Sequence, residues 1–403
     1  FGFGVVGEGL YKVLHQTPTL RASIEKVCIK DATKKRNAPA DLFTTQKNDL
    51  LFNDDINIIV EVIDDADAAF EIVCTAMQNG KHVVSASKKM LAHHLPEILA
   101  LQEKYQRSFL YESAACASIP VIRNLEEYYD NDLLHSLRAI VNGSTNYILT
   151  KMLDEQLSFS DALLQAQQLG FAESNPILDV AGFDAVNKWC LLLAHAYGIV
   201  VHPDAILFNG IEHIDTCDAD FATENDYTIK LIAHAEKLEH GQVAAYVLPS
   251  FVKNSDALSF VKNEFNGVVI ESSFADQQFF YGKGAGSYPT ASAVLSDIAA
   301  LRYDYKYEYK KIHQSPTQLD QSFILSVYLK YPVQADIHTD NWEDFEVINS
   351  AADYSMARGK VSIQELLQND WWKQQKGVSL IVLPILHEQK GKINFTFSNA
   401  LSV

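Results

Sequence analysis

Asp184 and Lys188 stand four residues apart in a stretch that reads as helix, so their side chains share a face. An isolated Asp–Lys pair at this spacing is most often a surface ion pair. Here the same face runs into Cys190-Leu191-Leu192, an apolar core stretch, and charge aimed at the buried end of a helix needs partners. An amino-acid substrate would provide them. The constellation begins upstream, at Gly170-Phe171-Ala172-Glu173-Ser174-Asn175-Pro176, and passes through Asp179 and Gly182. Such carboxylates can anchor a substrate ammonium. A lysine can give or take a proton at an oxygen when burial or a neighbouring cation lowers its pKa.

A second chemistry lies at the start of the chain. Gly2-Phe3-Gly4-Val5-Val6-Gly7 fits G-x-G-x-x-G at the opening of a helix, where glycines allow a tight turn and close approach of a pyrophosphate to free N–H groups. The pattern alone is weak. It gains weight from the strand–helix–strand pattern that follows, whose second strand ends in Lys30-Asp31, where an adenosine ribose would sit. Lys30, Lys34, Lys35 and Arg36 could neutralise a 2′-phosphate and Asp31 could bind a free 2′-hydroxyl, two opposed preferences. A Rossmann strand should precede the motif, and the sequence starts at Phe1, so that strand is expected to be partly missing. A third segment, Asn142-Gly143-Ser144-Thr145-Asn146 running into Tyr147-Ile148-Leu149, has the residue types of an ordinary N-capped helix start.

The elements that must position these residues change character along the chain. Up to about 117, strands (Lys26–Lys30, Ile56–Ile63, His82–Val84) alternate with helices (Gly7–Gln16, Ala66–Asn79), and Gly80 is a stop signal. Mostly apolar strands in that alternation indicate an α/β, doubly wound parallel sheet. From 118 to about 305 the pattern is α+β: helices near 158–169, 181–198 and 218–238, with strands at Val243–Leu248 and Val268–Ser272. Asp256–Val261 and Phe279–Tyr281 are expected in the same sheet. Residues 306–403 read as a further α+β unit, with strands at Phe323–Leu329 and Val378–Leu383 and helices near 341–353 and 361–368.

The bulk numbers narrow the function classes. Among 403 residues, 48% are hydrophobic and 21% charged, which suits two or three globular domains. The net charge of −18 argues against a nucleic-acid partner, and no run of about 20 apolar residues calls for a membrane. Five scattered cysteines without a C-x-x-C pair point to reduced thiols in a cytoplasm.

Taken in order, five blocks resemble the homoserine dehydrogenase family over about residues 1–305: the opening glycine motif, Gly80–Lys88, Asn142–Leu149, Glu173–Lys188, and Tyr281–Gly286 into Pro289–Val294. The resemblance implies a Rossmann dinucleotide-binding domain (1–117) and a substrate-binding and dimerisation domain (118–305) whose last helix returns to the cofactor. It implies NAD(P)-linked interconversion of homoserine and aspartate semialdehyde, NADP or NAD as cofactor, a small-molecule substrate and a homodimer. By position it makes Lys188 the proton donor or acceptor and places Lys88 at the junction of cofactor and substrate. Glu173 and Asp184, with Asp179, Asn142 and Thr145, fall at the substrate. Gly2, Gly4, Val5, Val6, Gly7, Ser85 and Gly286 fall at the cofactor. Glu112 and the carbonyls of Ala115, Ala117 and Ile119 match a sodium-binding loop, and oxygen ligands suit so hard a cation. With the reacting carbon between Lys88 and Lys188, two repelling ammonium groups should lower at least one pKa, against the pull of Asp184 on Lys188.

Departures are local: Ser87 replaces an asparagine, Asp64-Asp65 replace a Gly-Gly pair, and Cys116 and Ser118 replace glycines in the ion loop. Phe323–Val333 resembles the start of an ACT regulatory domain, although the glycine of its Pro-Gly turn is Val333 here. A degenerate ACT-like fold and a working amino-acid sensor both fit that segment. Two rival functions are a Rossmann reductase acting on another small aldehyde or imine, and a dinucleotide-sensing module without catalysis. Glu173, Asp184 and Lys188 together speak against the sensor, which would need only the glycines.

Overall fold

The computed structural model describes residues 1–130, 133–314 and 317–384. Its strands are β1 (Val27–Cys28), β2 (Phe43–Thr44), β3 (Ile58–Glu61), β4 (His82–Ser85), β5 (Phe109–Leu110), β6 (Leu134–Ile140), β7 (Leu207–Phe208), β8 (Tyr227–Lys237), β9 (Val243–Lys253), β10 (Phe265–Ser272), β11 (Asp276–Lys283), β12 (Ile324–Pro332), β13 (Glu343–Ser350), β14 (Tyr354–Ser362) and β15 (Ser379–Val382). Among the described residues, no helix is long and apolar enough to cross a membrane.

The first five strands form the parallel layer that the alternation calls for, as a β1–β2 pair and a β3–β4–β5 group. Phe1 and Gly2 lie between the two groups: Gly2 N donates to Cys28 O (3.0 Å), and Val62 N to Phe1 O (3.1 Å). They occupy the end of the strand that a glycine motif requires. A cavity of about 340 Å³ opens beside them, lined by Leu10, Leu14, Leu20, Ile24 and Ile58 among others. Helix Val5–Gln16 buries Leu10 and Leu14 against this layer, and helix Ser287–Leu301 crosses it. Ser287 Oγ donates to Val5 O (2.8 Å), and a Cβ on Gly9 would stand 2.6 Å from that same Oγ.

The remaining strands build one long sheet in the order β11-β10-β6-β8-β9-β15-β12-β14-β13, with β7 also on β9. The tail therefore shares a sheet with the middle of the chain, since β15 runs parallel to β9 with Val382 opposite Ser250. Three expectations from sequence fail here. Helix Thr216–Glu224 ends at Asn225-Asp226, with Asp226 left-handed (φ 60°), and residues 227–237 are strand β8, paired along its whole length with β9. Residues 343–350 are an edge strand, not helix. Their charged, polar sequence has helical character, but register with β14 overrides it. Asp256–Val261 is not in the sheet: Asp256 caps a 3₁₀ turn, Ala257–Phe260, by accepting from Leu258 N.

Behind the Phe183–Tyr197 helix a buried polar chain ties three regions together. His195 Nδ1 meets Glu126 Oε1 at 2.5 Å and its Nε2 meets Tyr111 Oη at 2.7 Å, while Tyr309 Oη donates to Tyr111 Oη (3.1 Å). Burial raises the Glu126 carboxyl pKa, but the His195 ring outweighs it and the net shift is downward.

Close packing of the two helices at Gly9 yields the first prediction. Gly9→Ala should destabilise the protein by about 1–3 kcal/mol through overpacking. Thermal unfolding checks this, and an unchanged midpoint would show that the helices separate freely.

Candidate functional site

The glycine motif opens a cradle. Gly2 has φ +92° and lies against Val62 O, a position a side chain would fill at 2.8 Å, and a Cβ on Gly7 would lie 2.5 Å from Gly2 O. A Cβ on Gly4, by contrast, would point into open space. The middle glycine thus faces open space beside the first N–H groups of the Val5–Gln16 helix, a setting that suits an anion such as a pyrophosphate. Asp31 accepts from Thr33 N and Thr33 Oγ1 (2.8 and 2.6 Å), so its carboxylate is held in its own turn and its pKa is lowered by these bonds. Arg36 lies over the Phe43 ring, which packs on Phe3 of the motif.

At the end of β4, Ser85 Oγ donates to Glu61 Oε2 (2.6 Å) and accepts from Ser87 N (3.1 Å). Glu61 is fully buried, and burial raises its pKa. Sequence reasoning passed over it, although a glutamate inside the apolar run 56–63 was a visible signal. Asp65 of the departing Asp64-Asp65 pair caps helix Ala66–Gln78 by accepting from Ala68 N. Gly286 (φ +114°) turns the chain into the Ser287–Leu301 helix.

The centre of the site is Asp184. Its Oδ1 takes Lys88 Nζ at 2.9 Å, and its Oδ2 takes Lys188 Nζ at 2.7 Å and Asn142 Nδ2 at 2.8 Å. The i,i+4 pair exists, but it is buried rather than on the surface, with the Asp184 and Lys188 side chains 6% and 7% exposed. Lys188 also donates to Val141 O (2.8 Å). Among the described residues, these two contacts occupy two of its three ammonium N–H groups. Asn142 serves two purposes. Its Oδ1 caps helix Gly143–Asp154 at Thr145 N (2.8 Å), while Nδ2 donates to Asp179 Oδ1 (2.7 Å) as well as to Asp184. Thr145 is buried and its hydroxyl returns to Asn142 O (3.1 Å).

Electrostatics follow from this sharing. Burial alone would raise the Asp184 pKa, but Lys188 and then Lys88 overcome it and hold the carboxyl well below the usual carboxylate range. Asp179 moves the other way, raised by burial and by the Asp184 charge. The lowering expected for at least one of the two lysines does not occur at Lys88: the Asp184 charge outweighs burial and its pKa is raised. The contact of Asp184 with Lys88 as well as with Lys188, absent from the sequence argument, is the reason. Glu173 stands apart from this cluster, exposed on the loop after Gly170, with its carbonyl accepting from Gln167 Nε2.

Glu112 is buried at the end of β5 and accepts Ile122 N and Arg123 N (2.9 and 2.8 Å). Its own N–H donates to Asp297 Oδ2 (2.9 Å), and Arg123 bonds Asp297 Oδ1 (2.8 Å). Burial, reinforced by Asp297, pushes the Glu112 carboxyl up to about 8. In the following loop Ala117 has φ +42°, the Ile119 carbonyl accepts Val121 N (2.8 Å), and Cys116 is buried. Asp297 and Arg123 were not singled out from sequence.

A dinucleotide cradle facing a buried lysine–carboxylate cluster is the equipment of a nicotinamide-dependent oxidoreductase, and the fold and site assign the chain to that class. Residues 2–112 match the family model for the homoserine dehydrogenase NAD binding domain, and residues 120–299 match the homoserine dehydrogenase model. The homoserine dehydrogenase of Bacillus subtilis is 32% identical over 348 residues, 82% of this chain and 80% of that protein. That of Helicobacter pylori is 31% identical over 405 residues, 98% of this chain and 90% of the relative. The crystal structure of a homoserine dehydrogenase from Thiobacillus denitrificans superposes with a TM-score of 0.82 at 26% identity, covering 95% of this chain and 96% of that one. A hyperthermophilic archaeal homoserine dehydrogenase in complex with NADPH gives 0.63 at 25% identity, over 76% and 97%. The chain belongs to the homoserine dehydrogenase family and is an NAD(P)-dependent oxidoreductase.

Asp184→Asn tests the electrostatic reading. Leaving two lysines without their counter-charge should cost about 3–5 kcal/mol of stability. The folded-state pKa of Asp184 lies below its unfolded value of about 4. Its stabilisation is therefore complete above about pH 4 and is lost as the pH falls through the folded value. Urea unfolding from neutral pH downward should show the parent losing this increment in acid and the variant showing no such loss. Parallel curves would refute the assignment.

Proposed function

We propose that the chain interconverts L-homoserine and L-aspartate 4-semialdehyde, feeding threonine, isoleucine and methionine synthesis, with Lys188 moving the proton at the reacting oxygen. The observation behind this reading is the third N–H of a buried lysine whose other two, among the described residues, are fixed by Asp184 and Val141. A dinucleotide, when bound on the glycine turn, supplies the hydride donor or acceptor. In the reducing direction Lys188 gives its free proton to the aldehyde oxygen, and in the oxidising direction it recovers that proton from the alcohol. Lys88, on the same carboxylate but 43% exposed, lies at the open side of the cluster, toward the cofactor. Asp179, with Glu173 from the neighbouring loop, binds the substrate ammonium. Asn142 holds Asp179 and Asp184 in place, and Thr145 holds Asn142 in turn.

The cofactor is NAD or NADP, with modest discrimination. Asp31 is committed to Thr33, which weakens it as a ribose ligand, while Lys30, Lys34, Lys35 and Arg36 favour a phosphate. Sodium suits the loop at Glu112, Ala115, Ala117 and Ile119. Of the two buried carboxylates there, Asp297 takes the Arg123 guanidinium while Glu112 is met by backbone N–H groups, so a monovalent cation beside Glu112 would supply the counter-charge for its ionised form.

The division we favour is 1–117, 118–305 and 306–403, in a cytoplasmic homodimer joined through the long sheet, whose edge strand β11 exposes Phe279 and Tyr281. The antiparallel order β15-β12-β14-β13 is that of a βαββαβ unit, which supports the ACT-like reading. Residues 333–342 connect β12 to β13 without a helix, which favours a degenerate unit over a working sensor.

One assay series tests these roles: homoserine-dependent reduction of NAD and of NADP, in sodium and in choline buffers, with dinucleotide affinity measured separately. Lys188→Ala should lower kcat about a hundredfold or more and leave dinucleotide affinity unchanged, whereas Lys88→Ala should damage both. A folded Lys188→Ala enzyme with near-normal kcat would show that the catalytic lysine lies elsewhere. In the same series, cofactor preference should stay below about a thousandfold, roughly 4 kcal/mol. Sodium should raise activity in the parent but not in Glu112→Ala, and a parent indifferent to sodium would remove the ion site.

A further inference from the structure

The tail touches the catalytic helix through a short chain of side chains. Lys373, on the Trp371–Gln374 turn, is half-buried, with its ammonium over the ring of Phe208 (5.3 Å) and that of Trp372 (5.1 Å). Phe208 packs edge-on against Phe183 (5.3 Å, 64°), and Phe183 begins the helix whose next residue is Asp184. Leu207, beside Phe208 on β7, belongs to the hydrophobic core of the tail, with Leu325, Val327, Trp372 and Leu380.

Backbone contacts remove the slack between β7 and the helix start. Ile211 N donates to Val180 O (2.8 Å). A Cβ on Gly210 would stand 1.9 Å from Val180 O, and one on Gly182, at φ +87°, would stand 3.0 Å from Asn209 O. The two segments therefore touch main chain to main chain, and a shift of 208–211 must carry 180–184 with it. Asp184 tolerates little shift, since it must meet Lys88, Lys188 and Asn142 at 2.7–2.9 Å together.

We infer that Lys373, acting through Phe208 and Phe183, is a positioning residue for Asp184, so that the tail seats the catalytic carboxylate. The inference rests on the roles proposed for Asp184 and Lys188. It gives the tail a part in catalysis that requires no effector. Lys373 selects the position of Phe208 because a half-buried ammonium gains most directly over a ring face. That position in turn sets the ring of Phe183 and the first turn behind it.

The test uses the full chain and the variants Lys373→Met, Lys373→Arg and Phe208→Leu. Each is assayed for kcat, homoserine KM, dinucleotide affinity, melting temperature and the pH profile of kcat. Lys373→Met and Phe208→Leu should lower kcat about three- to thirtyfold with dinucleotide affinity unchanged. The alkaline limb of the profile should move to lower pH, because a poorly seated Asp184 no longer raises the Lys88 pKa. Lys373→Arg, which keeps a cation over the ring, should restore both kcat and the limb. If Lys373→Met folds and keeps the parental kcat and profile, the inference fails. It fails also if kcat drops without movement of the limb, or if arginine does no better than methionine, since local loosening alone explains those results. Should Lys373→Met not fold, Phe208→Leu and Lys373→Arg decide by the same criteria. An active Lys188→Ala enzyme would instead overturn the catalytic reading on which the inference stands.

Discussion

The carboxylate of Asp184 is the constraint on which the site depends. A buried carboxylate is costly, and this one is tolerated because two ammonium groups and one amide converge on its two oxygens. Each donor comes from a different part of the chain. Lys88 stands where β4 passes into the next helix, Asn142 where β6 does the same, and Lys188 one turn along the helix that carries Asp184. Ionising Asp184 therefore fixes the parallel layer, the long sheet and the catalytic helix relative to one another. Asp179 is held beside the cluster by the second N–H of Asn142, and Lys88 remains accessible.

Away from this point the two halves of the molecule are joined economically. The chain passes between the parallel layer and the long sheet three times, and the first two crossings, near 117–120 and near 283–287, are tied together where Ser118 N and Oγ both donate to Lys283 O (3.3 and 2.9 Å). Ala117 (φ +42°) and Gly286 (φ +114°) lie next to this tie. Glu112, Asp297 and Arg123 brace the same seam from inside. A polar seam of this kind fixes orientation alongside an apolar core that runs continuously through both parts.

What was legible in the sequence was what is local. The glycine turn, the cap at Asn142 and the i,i+4 pair of Asp184 and Lys188 are set by spacing, and each lies where its spacing puts it. The break at Asn225-Asp226 was local too, but it was overlooked, and β8 was read as helix. Long-range features were not legible. Strand β13 is held by β14, whose pairing no periodicity in 343–350 announces. The contact between Lys88 and Asp184 spans 96 positions and raises the Lys88 pKa, where the sequence had pointed only to repulsion from Lys188. The merging of the tail with the central sheet rests on a single parallel register between β15 and β9, which no motif encodes.

Several residues in this protein carry more than one structural contact. Asn142 has the residue type of a helix cap and is one, yet the half of its amide not needed for capping fixes two carboxylates. Asp65 replaces a glycine near the cofactor and caps the helix that follows. Glu112 accepts the first backbone N–H groups of the Val121–Glu127 helix and remains a buried carboxylate paired with Asp297. A buried polar side chain has more donor and acceptor positions than one partner can fill, and leaving any of them empty is costly. Structural and chemical roles therefore gather on the same few residues. A helix start is where such side chains are already needed, which is why the Asn142 cap of one helix and Asp184 in the first turn of another meet in one cluster.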